Sequence, residues 1–190
     1  MLEFLKAYGI VIPIFVFMIS LLGMDAFSFN HCFIQTIFML CVMYFGHVIA
    51  HFPVFEKINP HVFLHHNHSL NIPRWLELSI ESLYPFTTAL SIHYISKSIL
   101  SDVVFSTSIL IGTAILYNVV HILDYSNLGS LTHQQHHIYH RCNYEPIFMD
   151  AIFRTRCDNS SPYVNTNHQV IHAVMATSFV LILKLIFNLT

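Results

Sequence analysis

Charge is what this chain has least of. Of its 190 residues only 9% are Asp, Glu, Lys or Arg, whereas 55% are hydrophobic. A soluble domain usually carries about 25% charged residues, so a lipid bilayer is the natural solvent for most of this surface. The charges present sum to −2, without the basic patch that nucleic acid requires. Cysteine is sparse: Cys32, Cys41, Cys142 and Cys157 show no close pairing, which indicates neither a disulfide framework nor a thiolate zinc site. No His-Glu-x-x-His run is present, so the zinc-protease signature is missing. No composition break, internal repeat or low-complexity tract divides the chain, and residues 1–190 read as one domain.

Apolar runs cover residues 7–24, 32–50, 82–96, 103–123 and 171–189. The first is uncharged and long enough for a bilayer core of about 30 Å. It lacks a clear small-residue cleavage site, and further apolar runs follow it, so it reads as an anchor rather than a signal peptide. The third is short, and with the fourth it predicts a helical hairpin whose second helix is capped by Ser101 or Asp102. The last run either spans or lies along the interface, because Lys184 sits within it.

Lys6, Lys57, Arg74, Arg141, Arg154 and Arg156 fall on the side shared by the N-terminus and the two large polar stretches, with Lys97 opposite. The excess of positive charge predicts that this side is cytosolic. The sequons at Asn67 and Asn159 would then stay unglycosylated.

Histidine is the residue in excess, at 15 against 8 lysines and arginines combined. Neutral imidazole is the commonest biological metal ligand. His47 and His51 are spaced i, i+4 where the second apolar run ends. His61, His65 and His66 read His-x3-His-His, and His133, His136 and His137 read His-x2-His-His. His121 ends the fourth run. Residues three or four apart share a helix face, so each box presents two imidazoles to one centre. The adjacent pairs point about 100° apart, so one member can serve each of two neighbouring ions. All four groups fall at the same membrane face. They predict a dinuclear site in a cytosolic histidine-rich cap on an all-α integral membrane protein, with about four transmembrane helices plus a C-terminal apolar helix.

His31, His93, His168 and His172 read as interfacial or structural. His68 and His140 lie beside boxes, and His68 could replace His61 in a shifted register. Asp150, Asp124, Glu77 and Glu81 are candidates to orient ligand imidazoles.

The boxes together resemble the fatty acid hydroxylase and sterol desaturase superfamily of membrane di-iron oxidases. The likeness runs from about Gly46 to Thr155. It is most specific after the third box, where Asn143-Tyr144, Asp150 and Phe153-x-Thr155 keep the family's spacing. The spacing of the boxes and of this tail resembles the lathosterol-type sterol desaturases most. Glu145 and Arg154 stand where the family has glycines, Met149 where it has tryptophan, and Tyr125 where some members have a further histidine.

The resemblance implies two iron ions held by nine histidines, with zinc a frequent occupant after purification, and dioxygen as co-substrate. It implies a lipid substrate (sterol, fatty acyl or sphingolipid) that is hydroxylated or desaturated, and residence in the endoplasmic reticulum. The electron donor is expected to be separate, a b-type cytochrome with its reductase, since no His-Pro-Gly-Gly haem loop occurs in the chain. The competing reading is a histidine-rich membrane protein that handles metal or binds it without catalysis. Against transport, such sites usually lie near the bilayer midplane, whereas these boxes gather at one face.

Overall fold

The computed structural model describes residues 2–55, 58–59, 61–66, 72–100, 105–122, 131–160, 162–164 and 166–187. All regular structure among them is helical: α1 (Leu2–Tyr8), α2 (Val11–Leu21), α3 (Phe29–Ala50), α4 (Arg74–Leu100), α5 (Thr107–Val119), α6 (Leu131–Tyr139), α7 (Ile147–Phe153) and α8 (Val170–Phe187). A π turn covers His61–His65 and a 3-10 turn Asn167–Gln169 leads into α8.

Among the described residues, two helices are long and apolar enough to cross a bilayer, Phe29–Ala50 and Asn167–Phe187. The pair α1 and α2, bent by 44°, makes a third if it counts as one span. The sequence predicts about four such helices; length and apolarity support two or three. The bend explains the first discrepancy. The run 7–24 looks continuous, but it breaks after Gly9, where a side chain would stand 2.4 Å from the Leu5 carbonyl oxygen.

The hairpin also differs. Its first arm begins at Arg74, eight residues before the apolar run, just after Pro73, whose carbonyl accepts from Leu76 and Glu77. A proline is well placed at a helix start because it has no N–H to leave unpaired. The polar turns of α4 lower its mean hydropathy, so it fails as a span on composition despite its 27 residues. Ser101 and Asp102 lie outside the described residues. The observed cap on α5 is Ser106, whose hydroxyl accepts from the Ile109 N–H.

Packing places α5 centrally, against α4, α8, α3 and α2. Tyr8, Phe15, Ile19, Leu22, Ile109 and Leu116 form the middle of the core. Facing outward are Phe33, Ile34, Phe38 and Phe45 on α3, and Ile171, Phe179, Ile182 and Leu185 on α8. An apolar surface that extensive suits acyl chains rather than water.

Within the apolar layer helices are tied by a few polar groups. The Ser20 hydroxyl donates to Thr36 Oγ1 at 3.1 Å, linking α2 to α3. Gln35 Oε1 accepts from the Ser106 N–H at 2.9 Å, fastening the start of α5 to α3. Interhelical hydrogen bonds of this kind contribute about 0.6–1.7 kcal/mol in membranes. Gln35→Ala should therefore lower the unfolding midpoint measured in detergent micelles, and an unchanged midpoint would show that α5 does not depend on this tie.

Candidate metal centre

The histidines arrive from four places in the chain. His47 and His51 lie one turn apart at the end of α3, and His61 and His66 flank the π turn. His121 follows α5, and His133, His136 and His137 lie on α6. Two buried groups result. In one, His47, His51, His61, His66 and His136 each offer a ring nitrogen within 4.8 Å of the others; in the second, His121, His133 and Glu145 do the same with a carboxylate oxygen. Each group could hold a metal ion.

Every expected site residue has a definite place except His65, whose side chain lies outside those described. His137 belongs to neither group but sits between them. Its Nε2 lies 2.9 Å from His133 Nε2, and its ring stacks on His66 with centroids 4.5 Å apart. His140 lies beside the first group, its ring 4.8 Å from that of His66. His31 stacks on Phe27, and His168 and His172 lie at the start of α8. His68 and Asp124 lie outside the described residues, and Glu77 belongs to neither group.

Hydrogen bonds on one ring nitrogen decide what the other can do. His136 Nδ1 donates to the Cys142 carbonyl at 2.7 Å. A carbonyl only accepts, so the proton sits on Nδ1 and the Nε2 lone pair faces the cluster. His121 Nε2 donates to Glu81 Oε1 at 2.5 Å, which leaves its Nδ1 toward Glu145. His47 Nδ1 shares a hydrogen bond with the Tyr117 hydroxyl at 3.2 Å, while its Nε2 approaches His61 Nε2 at 3.0 Å. Both nitrogens of His51, and Nε2 of His136, are buried with no hydrogen-bond partner. Leaving such a group unpaired in a protein interior costs about 1–3 kcal/mol. A metal ion would accept those lone pairs, so the donor set fits one.

The imidazoles of the first group are held in the form that ligates. Burial lowers His61, His66 and His136 below the ordinary imidazole range, and neighbouring rings push in the same direction. Burial also lowers His51 to about 4. Neutral rings bind metal without first losing a proton.

A compact knot behind α6 sets the positions of His136 and Glu145. His140, Asn143, Glu145 and Arg154 all have positive φ, which turns the chain back on itself. The Asn143 N–H donates to the Thr155 carbonyl at 2.8 Å, and the Cys157 N–H donates to Asn143 Oδ1 at 3.1 Å. Asp150 closes the knot by accepting from the N–H groups of Tyr144 and Glu145, at 2.9 and 2.7 Å, and from the Thr155 hydroxyl at 2.6 Å. Burial raises the Asp150 carboxyl to about 7, against the opposing pull of those donors. Asp150 therefore orients backbone rather than an imidazole; Glu81 and Tyr117 orient the rings.

The cysteine reading is corrected here as well, because a disulfide joins Cys142 to Cys157 with Cα atoms 4.8 Å apart. The left-handed residues bring together two cysteines that linear spacing keeps apart. Sequence reasoning also missed Glu145 and Tyr117 as site residues. The available signal for Glu145 was a carboxylate standing at a family glycine, eight residues past the third box.

No protein-family model, curated protein or solved structure matches the chain.

The metal-free protein should lose stability as pH falls from about 6.5 toward 4. Unfolded histidine takes up a proton near 6.5, whereas His51 resists until about 4 and the other three are also held neutral. The unfolded state thus binds more protons across that window, and acid favours it. Asp150 acts in the opposite direction over the same window, and so, at its upper end, does His121, which is raised above its unfolded value; four histidines against these two groups set the sign. Unfolding midpoints of chelator-treated protein at pH 7, 6 and 5 test this, and a midpoint that rises with acid would contradict it.

Proposed function

We propose that this chain is an integral-membrane, metal-dependent oxidase that uses dioxygen to hydroxylate or desaturate a lipid. One observation carries the reading: seven histidines from distant segments converge with Glu145 in two adjoining buried groups at the ends of apolar helices. Three further features support it. The spacing of the boxes resembles the hydroxylase and desaturase superfamily. The site contains histidine where soluble di-iron bundles rely on glutamates. Finally, Glu145 and Arg154, which stand at the family's glycine positions, adopt the left-handed backbone that glycine prefers.

Iron, when bound, would supply the reduction of dioxygen and the oxidising power that removes hydrogen from an unactivated carbon. Hydroxylation converts R–H, dioxygen, two electrons and two protons into R–OH and water. Desaturation takes two hydrogens from adjacent carbons and releases two waters. In both cases the electrons come from a separate donor, for which a b-type cytochrome with its reductase is the proposed source. The proposed setting is the endoplasmic reticulum, with the histidine cap toward the cytosol on the strength of the charge asymmetry.

The chain's own contribution is positioning and dryness. His47, His51, His61, His66 and His136 would hold one ion, and His121 and His133 the second. Tyr117, Glu81 and the Cys142 carbonyl fix three of those rings. An apolar pocket lined by Phe15, Met43, Leu116 and Val120 ends on His121 and Glu145. The pocket is small as it stands, so an acyl chain or sterol edge would reach the site there only by displacing these apolar side chains, with little water beside it.

Two measurements test the reading. Mass-spectrometric profiles of sterols, sphingolipids and fatty acids should show a product heavier by one oxygen or lighter by two hydrogens. It should appear in cells expressing the chain with an electron donor and disappear with His136→Ala. Identical profiles despite verified membrane insertion would sink the oxidase assignment and leave metal handling. Leu116→Phe, which narrows the pocket, should lower product yield about tenfold or shift the chain length accepted while bound metal stays constant. Unchanged yield and selectivity would place substrate entry elsewhere.

A further inference from the structure

Glu145 is an unusual residue for its position. It is 1% exposed, sits in a left-handed backbone conformation with φ of 65°, and lies between two histidines. Non-glycine side chains are disfavoured in that conformation, and burying a carboxylate is costly unless it is paired. Two unfavourable features at one residue point to a use for the side chain.

The distances suggest what that use is. Glu145 Oε2 lies 3.5 Å from His121 Nδ1 and 3.4 Å from His133 Nδ1. A charge-assisted N–H···O bond would be about 2.7–2.9 Å long, so both contacts are too open for one. They match a different geometry: donors about 2.1 Å from a tetrahedral ion lie about 3.4 Å from one another. The orientation of His121 agrees. Glu81 holds its Nε2, so Nδ1 is the nitrogen turned toward Glu145, and an ion at this position would take the place of the proton that links them.

We propose that Glu145 is a metal ligand, and that with His121 and His133 it forms a mixed carboxylate–imidazole position beside the five-imidazole one. The two metal positions are chemically unlike. The first, built from neutral rings, keeps the full charge of its ion; the second is partly neutralised by Glu145 and adjoins the apolar pocket. Asp150 supports the arrangement from behind, since it accepts from the Glu145 N–H and so fixes the left-handed turn. The inference rests on the metal-binding part of the proposed function and is independent of the oxidation.

The test uses the purified chain in lipid nanodiscs, stripped of metal and titrated with Co²⁺. Bound cobalt is counted by elemental analysis, and its ligand field is read from the visible spectrum. The wild type should bind two Co²⁺ per chain with distinct spectra. Glu145→Gln and Glu145→Gly should each bind one and lose the spectrum of one site, with the affinity of the other unchanged within about twofold.

Two ions retained in both variants at unchanged affinity, or a single ion in the wild type, would overturn the proposal. A wild type that binds no cobalt removes the metal-binding reading as well. Two ions without any lipid product would remove the oxidase reading and leave this inference standing.

Discussion

Neutral imidazoles crowded in a dry pocket define this protein. Protonating one of the five rings of the first group would place a cation among other imidazoles, and leaving them neutral strands lone pairs of His51 and His136 away from water. An electron-pair acceptor resolves both problems. The rest of the molecule can be understood as a means of holding the rings in that condition. The helices α3 and α5 bring His47, His51 and His121 to one level, α6 lays His133 and His136 over them, and a π turn supplies His61. Each ring held by Tyr117, Glu81 or the Cys142 carbonyl is left with one nitrogen for the centre.

The site was more legible in the sequence than the fold. The i, i+4 spacing of His47 and His51 and the His-x2-His-His run on α6 already imply shared faces, because helix geometry is local. The helix boundaries depended on less local facts. A continuous apolar run hid the break at Gly9, and the polar first turns of α4 hid its true start at Arg74. The cap on α5 fell to Ser106 rather than to the serine or aspartate before it, because Ser106 is the one that Gln35 holds.

What sequence reasoning missed is concentrated between His140 and Cys157. There the chain reverses through four left-handed residues, and contacts no longer follow spacing. Glu145 looked like a departure from a glycine pattern, yet it adopts the left-handed backbone that glycine favours. Asp150 was expected to steer an imidazole and instead secures the turn that carries Glu145. Local rules describe helices well and describe such a reversal poorly, since its stability comes from buried hydrogen bonds that close only in three dimensions.

The bond between Cys142 and Cys157 has a bearing on sidedness. Closing a loop of that size restrains the unfolded chain by about 3 kcal/mol, and the Cys142 carbonyl is the group that sets the tautomer of His136. Disulfides persist in oxidising compartments and are reduced in the cytosol, while the lysine and arginine distribution predicts that this segment lies inside. A cytosolic cap would therefore meet conditions that reduce the bond. Once it is reduced, Asp150 and Asn143 still tie the knot; a bond that stays oxidised in cells would instead indicate an outward-facing cap. The oxidation state of two sulfur atoms thus acts as a compass for the whole membrane topology.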